Sequence, residues 1–167
     1  MTATKQIINS LYCHYSGFSA LLMEKTIADT DYEEWERCEK RWTVSKLIKG
    51  IASYDLISKA LKEIKSIGQG TYPIIINKEI ELNRIISGVR FKGSTSTDMA
   101  SNIDINANIF NLVARVNDEQ IVFKKEASSL IESVKFFNPA NHDNDLNALI
   151  LAVNAIPYSS FNYLLIS

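Results

Sequence analysis

Apolar side chains at Ile7, Leu11, Tyr15, Phe18 and Leu22 recur at steps of four, four, three and four, the spacing that draws one stripe along an α-helix. This spacing predicts a long amphipathic helix from Lys5 to about Ala28, which needs an apolar layer to cover it. Gly17 falls inside that run and costs about 1 kcal/mol relative to Ala in a helix interior, a cost accepted where another helix crosses closely. Thr30-Asp31 followed by Glu33-Glu34 has the spacing of a capping box and opens a second helix. There Trp35, Cys38 and Trp42 share a face, and the surrounding mixed charges form a solvated surface. Leu47, Ile51, Tyr54, Leu61 and Ile64 carry the stripe of a third helix, or of a continued second one, closed by Gly68 and Gly70.

Beyond residue 70 the pattern changes. Tyr72-Pro73-Ile74-Ile75-Ile76 is a short β-branched run that reads as a buried strand. Lys78–Ser87 fits either period and is assigned to a helix capped by Asn77. Asn108–Val116 and Glu119–Lys125 alternate, with Asn117-Asp118 supplying residues that tolerate positive φ, and predict a hairpin. Ser129 with Glu132 opens a helix that stops before Pro139. Asn141, Asp143 or Asn144 caps a last helix with the stripe Leu146, Leu149, Ile150 and Val153, and residues 161–166 read as a terminal strand.

The expected fold class is therefore α+β: an N-terminal helical layer of about three helices packed on a small, mostly antiparallel sheet with two further helices. At 167 residues the chain is expected to be a single domain, 1–167, with a helical part (1–70) and an α+β part (71–167).

Composition narrows the function classes. A formal net charge of −1 provides no excess of Lys and Arg for neutralising phosphates, so no nucleic-acid partner is expected. Cys13 and Cys38 are too few for a disulfide framework and form no CxxC pair. The two histidines lack metal-ligand spacing, so no metal is expected. No export signal and no uninterrupted apolar run of about 18 residues occurs; the expected setting is soluble and cytoplasmic, without a membrane partner.

The one segment dense in glycine, hydroxyl and basic groups runs from Gly88 to Asp98. Its Gly88-x-x-x-x-Gly93-Ser94-Thr95 has P-loop glycine spacing but serine where the phosphate-binding lysine belongs, which removes a nucleoside-triphosphatase reading. Arg90, Lys92, Ser94, Thr95, Ser96 and Thr97 remain candidate anion-binding residues. An aromatic residue followed by Ser-Thr-Ser, here Phe91 and Ser94-Thr95-Ser96, resembles the sheet motif of ADP-ribosyltransferases. That resemblance implies a glutamate beside a later strand, and Asp118-Glu119-Gln120 places glutamine in the essential position. Cys13, His142 and Asp143 or Asp145 follow the chain order of some thiol hydrolases, but Cys13 lies inside a predicted helix, where no helix N-terminus lowers its pKa.

No complete catalytic set emerges, no catalytic residue is assigned, and no cofactor is expected. The sequence thus points to a non-enzymatic protein-binding module of inhibitor, immunity-protein or adaptor type that masks another protein's surface. Its anchors would be Tyr32, Trp35, Trp42 and Tyr54, amphipathic aromatics of the kind that dominate interfaces. The alternative is an anion- or nucleotide-binding protein, or a degenerate ADP-ribosyltransferase-like enzyme, using the Gly88–Asp98 loop.

Overall fold

A computed structural model describes residues 4–14, 16–27, 41–67, 74–76, 91–93, 102–138 and 143–156. In chain order these form β1 (Thr4–His14), β2 (Gly17–Ile27), β3 (Trp42–Gly50), α1 (Tyr54–Ile67), β4 (Ile74–Ile76), β5 (Phe91–Gly93), α2 (Asn102–Asn117), β6 (Ile121–Phe123), a 3₁₀ turn (Lys125–Ala127), α3 (Ser129–Lys135) and α4 (Asn144–Asn154).

The six strands make one mixed sheet in the order β5-β4-β1-β2-β3-β6. β2 runs antiparallel to β1 and β3, while β4 is parallel to β1, β5 to β4 and β6 to β3. Five strands therefore share one direction and β2 alone is reversed. The carboxyl ends of the five lie along the same edge of the sheet.

This overturns the expectation of an N-terminal helical layer on a mostly antiparallel sheet. Thr4–His14 and Gly17–Ile27 are the central hairpin, closed where His14 pairs with Gly17. The helical spacing misleads for a geometric reason. Steps of four keep a residue on the same face of a strand as well as of a helix, and the step of three from Tyr15 to Phe18 crosses the turn. Ile7, Leu11, Phe18 and Leu22 do share a face, packed with Ile57, Ala60, Leu61 and Ile64 of α1. Ile8, Tyr12, Leu21 and Met23 point the other way, into the core shared with Trp42, Val44 and helices α2 to α4. A hairpin covered on both faces shows no clean polar alternation, so the period of two is hidden.

Two further expectations change. Trp42–Gly50 is a strand rather than part of a helix, and the helix of this region begins at Tyr54. Asn108–Val116 lies within α2 and is not an arm of a hairpin. Ile109, Leu112, Val113 and Val116 pack inward at helical spacing, whereas Phe110 and Ala114, assigned to the buried face by alternation, are exposed. The positive φ of that connection falls on Glu119 (58°). The last helix agrees with its sequence signal: Asp143 is the N-cap, its carboxylate accepting from the Leu146 amide at 3.1 Å. Residues 78–87, the helix expected over 30–40 and the terminal strand expected over 161–166 lie outside the described residues.

α4 positions everything that follows. Its residues Leu146 to Val153 are all buried, as suits a helix wedged between a sheet and other helices. It packs on β1 and β2 below and on α2 and α3 beside it. Ser10, fully buried on β1, donates to the Ala148 carbonyl at 2.7 Å, so the contact includes a satisfied polar group that fixes its register.

Candidate functional site

At the sheet's carboxyl edge, the turn after β1, the end of β3, the end of α3 and the first turn of α4 surround a cleft of about 630 Å³, a volume usual for ligand sites. Its floor is built by strand pairing. Ser19 faces Tyr12 on one side and Lys49 on the other, which puts Ser19 and Lys49 under the start of α4. Asp145 binds both: the Ser19 hydroxyl donates to Oδ1, and the Lys49 ammonium donates to Oδ2 at 3.1 Å. The pair differs in exposure, 61% for the Lys49 side chain and 14% for that of Asp145.

Gly17 lets the hairpin close against this edge. Its φ is 152°, and a Cβ there would lie 2.7 Å from the Gly50 carbonyl oxygen and 3.3 Å from Asn144 Nδ2. Only glycine combines that conformation with so close a backbone approach. Beside it His14 Nδ1 and the Ser16 hydroxyl are 3.0 Å apart, and Asn144 Nδ2 reaches Ser16 at 3.5 Å. The opposite wall comes from the end of α3, with Glu132, Ser133, Phe136, Phe137 and Asn138. Phe136 is 72% exposed, and Lys135 Nζ lies 5.6 Å from its ring centroid.

The electrostatics of the lining are specific. Glu132, Asp143 and Asp145 oppose Lys49, one ammonium against three carboxylates. Among the described residues no group of three His, Cys, Asp or Glu side chains comes together to hold a metal ion. Asp145 is engaged by Ser19 and Lys49, and Asp143 by the helix it caps.

Of the residues singled out in the sequence, Asp143 and Asp145 line the cleft. Lys92 is in β5 at the sheet edge, while Arg90, Ser94, Thr95, Ser96 and Thr97 are outside the described residues, as are Tyr32 and Trp35. Trp42 is buried at 3% exposure with Lys25 Nζ 5.7 Å from its ring centroid, and Tyr54 is 47% exposed at the start of α1. Cys13 is buried on the α1 face of the sheet, and burial pushes its thiol up to about 12, which leaves no thiolate for nucleophilic chemistry at neutral pH. Ser19 and Lys49 carried no local sequence signal. Asp143 and Asp145 did, through the helix-cap spacing and as partners considered for Cys13.

No family model matches this sequence, and no curated protein does. Solved structures do match in three dimensions. The large terminase nuclease of thermophilic phage G20c, in a zinc-bound crystal structure, aligns with a TM-score of 0.59 at 12% identity, over 91% of this chain and 83% of that one. The manganese-bound nuclease domain of the large terminase of bacteriophage SPP1 aligns at 0.53 and 9% identity, over 89% and 84%. Those ions belong to those proteins; among the described residues here no group of three His, Cys, Asp or Glu side chains comes together. These neighbours overturn the reading as an inhibitor, immunity or adaptor protein, the reading as an ADP-ribosyltransferase-like enzyme, and the expectation of a protein partner with no nucleic acid. The chain shares its fold with these nuclease domains, a mixed sheet flanked by helices.

Proposed function

We propose that this chain is a nucleic-acid-engaging domain of the terminase-nuclease type, with DNA as its ligand. The observation that supports the reading is the structural match, which spans 91% of the chain. The position of the cleft is consistent with it. In open sheets flanked by helices, ligands bind outside the carboxyl ends of the strands, and the ends of β1 and β3 border this cleft. Lys135, exposed beside Phe136, supplies an ammonium group for a sugar-phosphate chain. The net charge of −1 argues against tight sequence-independent binding; an affinity on the order of 10⁻⁴ to 10⁻⁶ M at physiological salt fits a few phosphate contacts. No hydrolytic step is assigned to the described residues. Cytoplasmic location and a single domain over 1–167 are carried forward with this reading, because nucleic acid is met inside the cell.

The test is fluorescence anisotropy with labelled single-stranded and duplex DNA at low and moderate salt, the same samples then being run on a denaturing gel with and without manganese. Binding that weakens as salt rises supports the reading, and the gel separates binding from cutting. Flat anisotropy with every nucleic acid at low salt sinks it.

A further inference from the structure

The chemistry of the cleft is wrong for a phosphate and right for a base. Three carboxylates against one ammonium repel an anion, and that ammonium is already bound to Asp145. The same walls offer what a nucleobase needs. Phe136 presents an open aromatic face at 72% exposure, and bases of any sequence stack on such faces. Glu132 stands one turn before Phe136, whose amide donates to the Glu132 carbonyl at 2.8 Å. Carboxylates accept from exocyclic amino groups, as they do from cytosine N4.

We propose that the cleft between α3 and α4 receives an unpaired nucleobase of the bound strand, stacked on Phe136 with its amino edge toward Glu132 and Asp143. Asp143 spends one oxygen, Oδ1, on the Leu146 amide and keeps Oδ2 for this purpose. The sugar-phosphate chain stays at the rim, where Lys135 is exposed. A base inside a duplex is stacked and paired, so single strands are preferred over duplexes. The proposal rests on the nucleic-acid reading above and names the class of substrate that the same site takes.

The experiment compares oligo(dC), whose bases carry an amino group, with oligo(dT), whose bases do not, and with a duplex, by anisotropy on the full chain. Expected is tighter binding of oligo(dC) than of oligo(dT) or duplex. Phe136→Ala should weaken single-strand binding about tenfold, from the stacking of one base. Phe110→Ala, a phenylalanine equally exposed on α2 outside the cleft, should leave it unchanged. Glu132→Gln should reduce the preference for dC over dT. Both positions are at the surface, and thermal melting checks that each variant is folded. DNA binding with Phe136→Ala at wild-type affinity, or equal affinity for duplex and single strand, overturns this inference and leaves the nucleic-acid reading standing. No binding of any oligonucleotide overturns both.

Discussion

Replacing Asp145 with alanine tests whether the cleft floor is held by a buried hydrogen bond or by a surface ion pair. Ser19 is fully buried and donates to Asp145, so the variant takes away the acceptor of its hydroxyl; an orphaned buried donor costs about 1–3 kcal/mol. Lys49 is 61% exposed, and its pair with Asp145 contributes at most about 1 kcal/mol in water. A carboxylate in the first turn of α4 adds about 0.3–1 kcal/mol through the helix dipole. Asp145→Ala should therefore destabilise the fold by about 2–4 kcal/mol, and Lys49→Ala by less than about 1 kcal/mol. Urea unfolding with linear extrapolation reads both, and the melting temperature should fall by about 2–4 °C per kcal/mol at this chain length. The decisive comparison is a double-mutant cycle. Adding Ser19→Ala to Asp145→Ala removes the orphaned donor, and the pair should recover about 1–2 kcal/mol relative to additive losses. Equal effects of Asp145→Ala and Lys49→Ala, with additive Ser19 and Asp145 losses, would refute the reasoning and reduce the floor to a surface ion pair.

Two further outcomes follow from the same edge of the sheet and its central strand. Gly17→Ala should cost about 2–4 kcal/mol in chemical denaturation, because its backbone conformation is strained for an L side chain and its methyl group meets the Gly50 carbonyl; a loss under about 0.5 kcal/mol would mean that the hairpin closes differently. Cys13 keeps its proton in the fold up to about pH 12 while the unfolded thiol releases it from 9.0 upward. Stability attributable to this group is thus complete below pH 9 and falls by about 1.4 kcal/mol per unit above it. Unfolding measured from pH 8 to 11 should lose that part of its slope in Cys13→Ala, and an unchanged slope would count against the buried thiol.

How much of this was legible in the sequence depends on how each element is covered. α4 announced itself: Asp143 three residues before Leu146, then an apolar run, is a capped buried helix, and Asp143 does cap it. Ile74–Ile76 was likewise readable as a strand because nothing but β-branched side chains occupies it. The central hairpin was not, since Ile7, Leu11, Phe18 and Leu22 fit two geometries and neither sheet face is wet enough to break the tie. The clue was Gly17, costly in a helix and required in a turn. α2 failed in the opposite direction, alternation at Phe110, Leu112, Ala114 and Val116 hiding the helical set that is buried. The cleft was readable only in fragments. Asp143 and Asp145 stood out locally, whereas Ser19 and Lys49 meet them through the register of three strands and a helix more than ninety residues away, a relation no local pattern encodes.

The bond between Ser10 and Ala148 spans 138 residues, and that between Ser19 and Asp145 spans 126. Contacts of such reach close late, after loop entropy has been overcome. During synthesis the hairpin emerges well before α4, with the face that α4 will cover still open to water. Segment 144–154 must leave the ribosome before that face is sealed and before the cleft has its second wall. A nascent or truncated chain therefore offers exposed strands to a chaperone, or to another copy of itself. The cleft is completed in one step, when α4 docks.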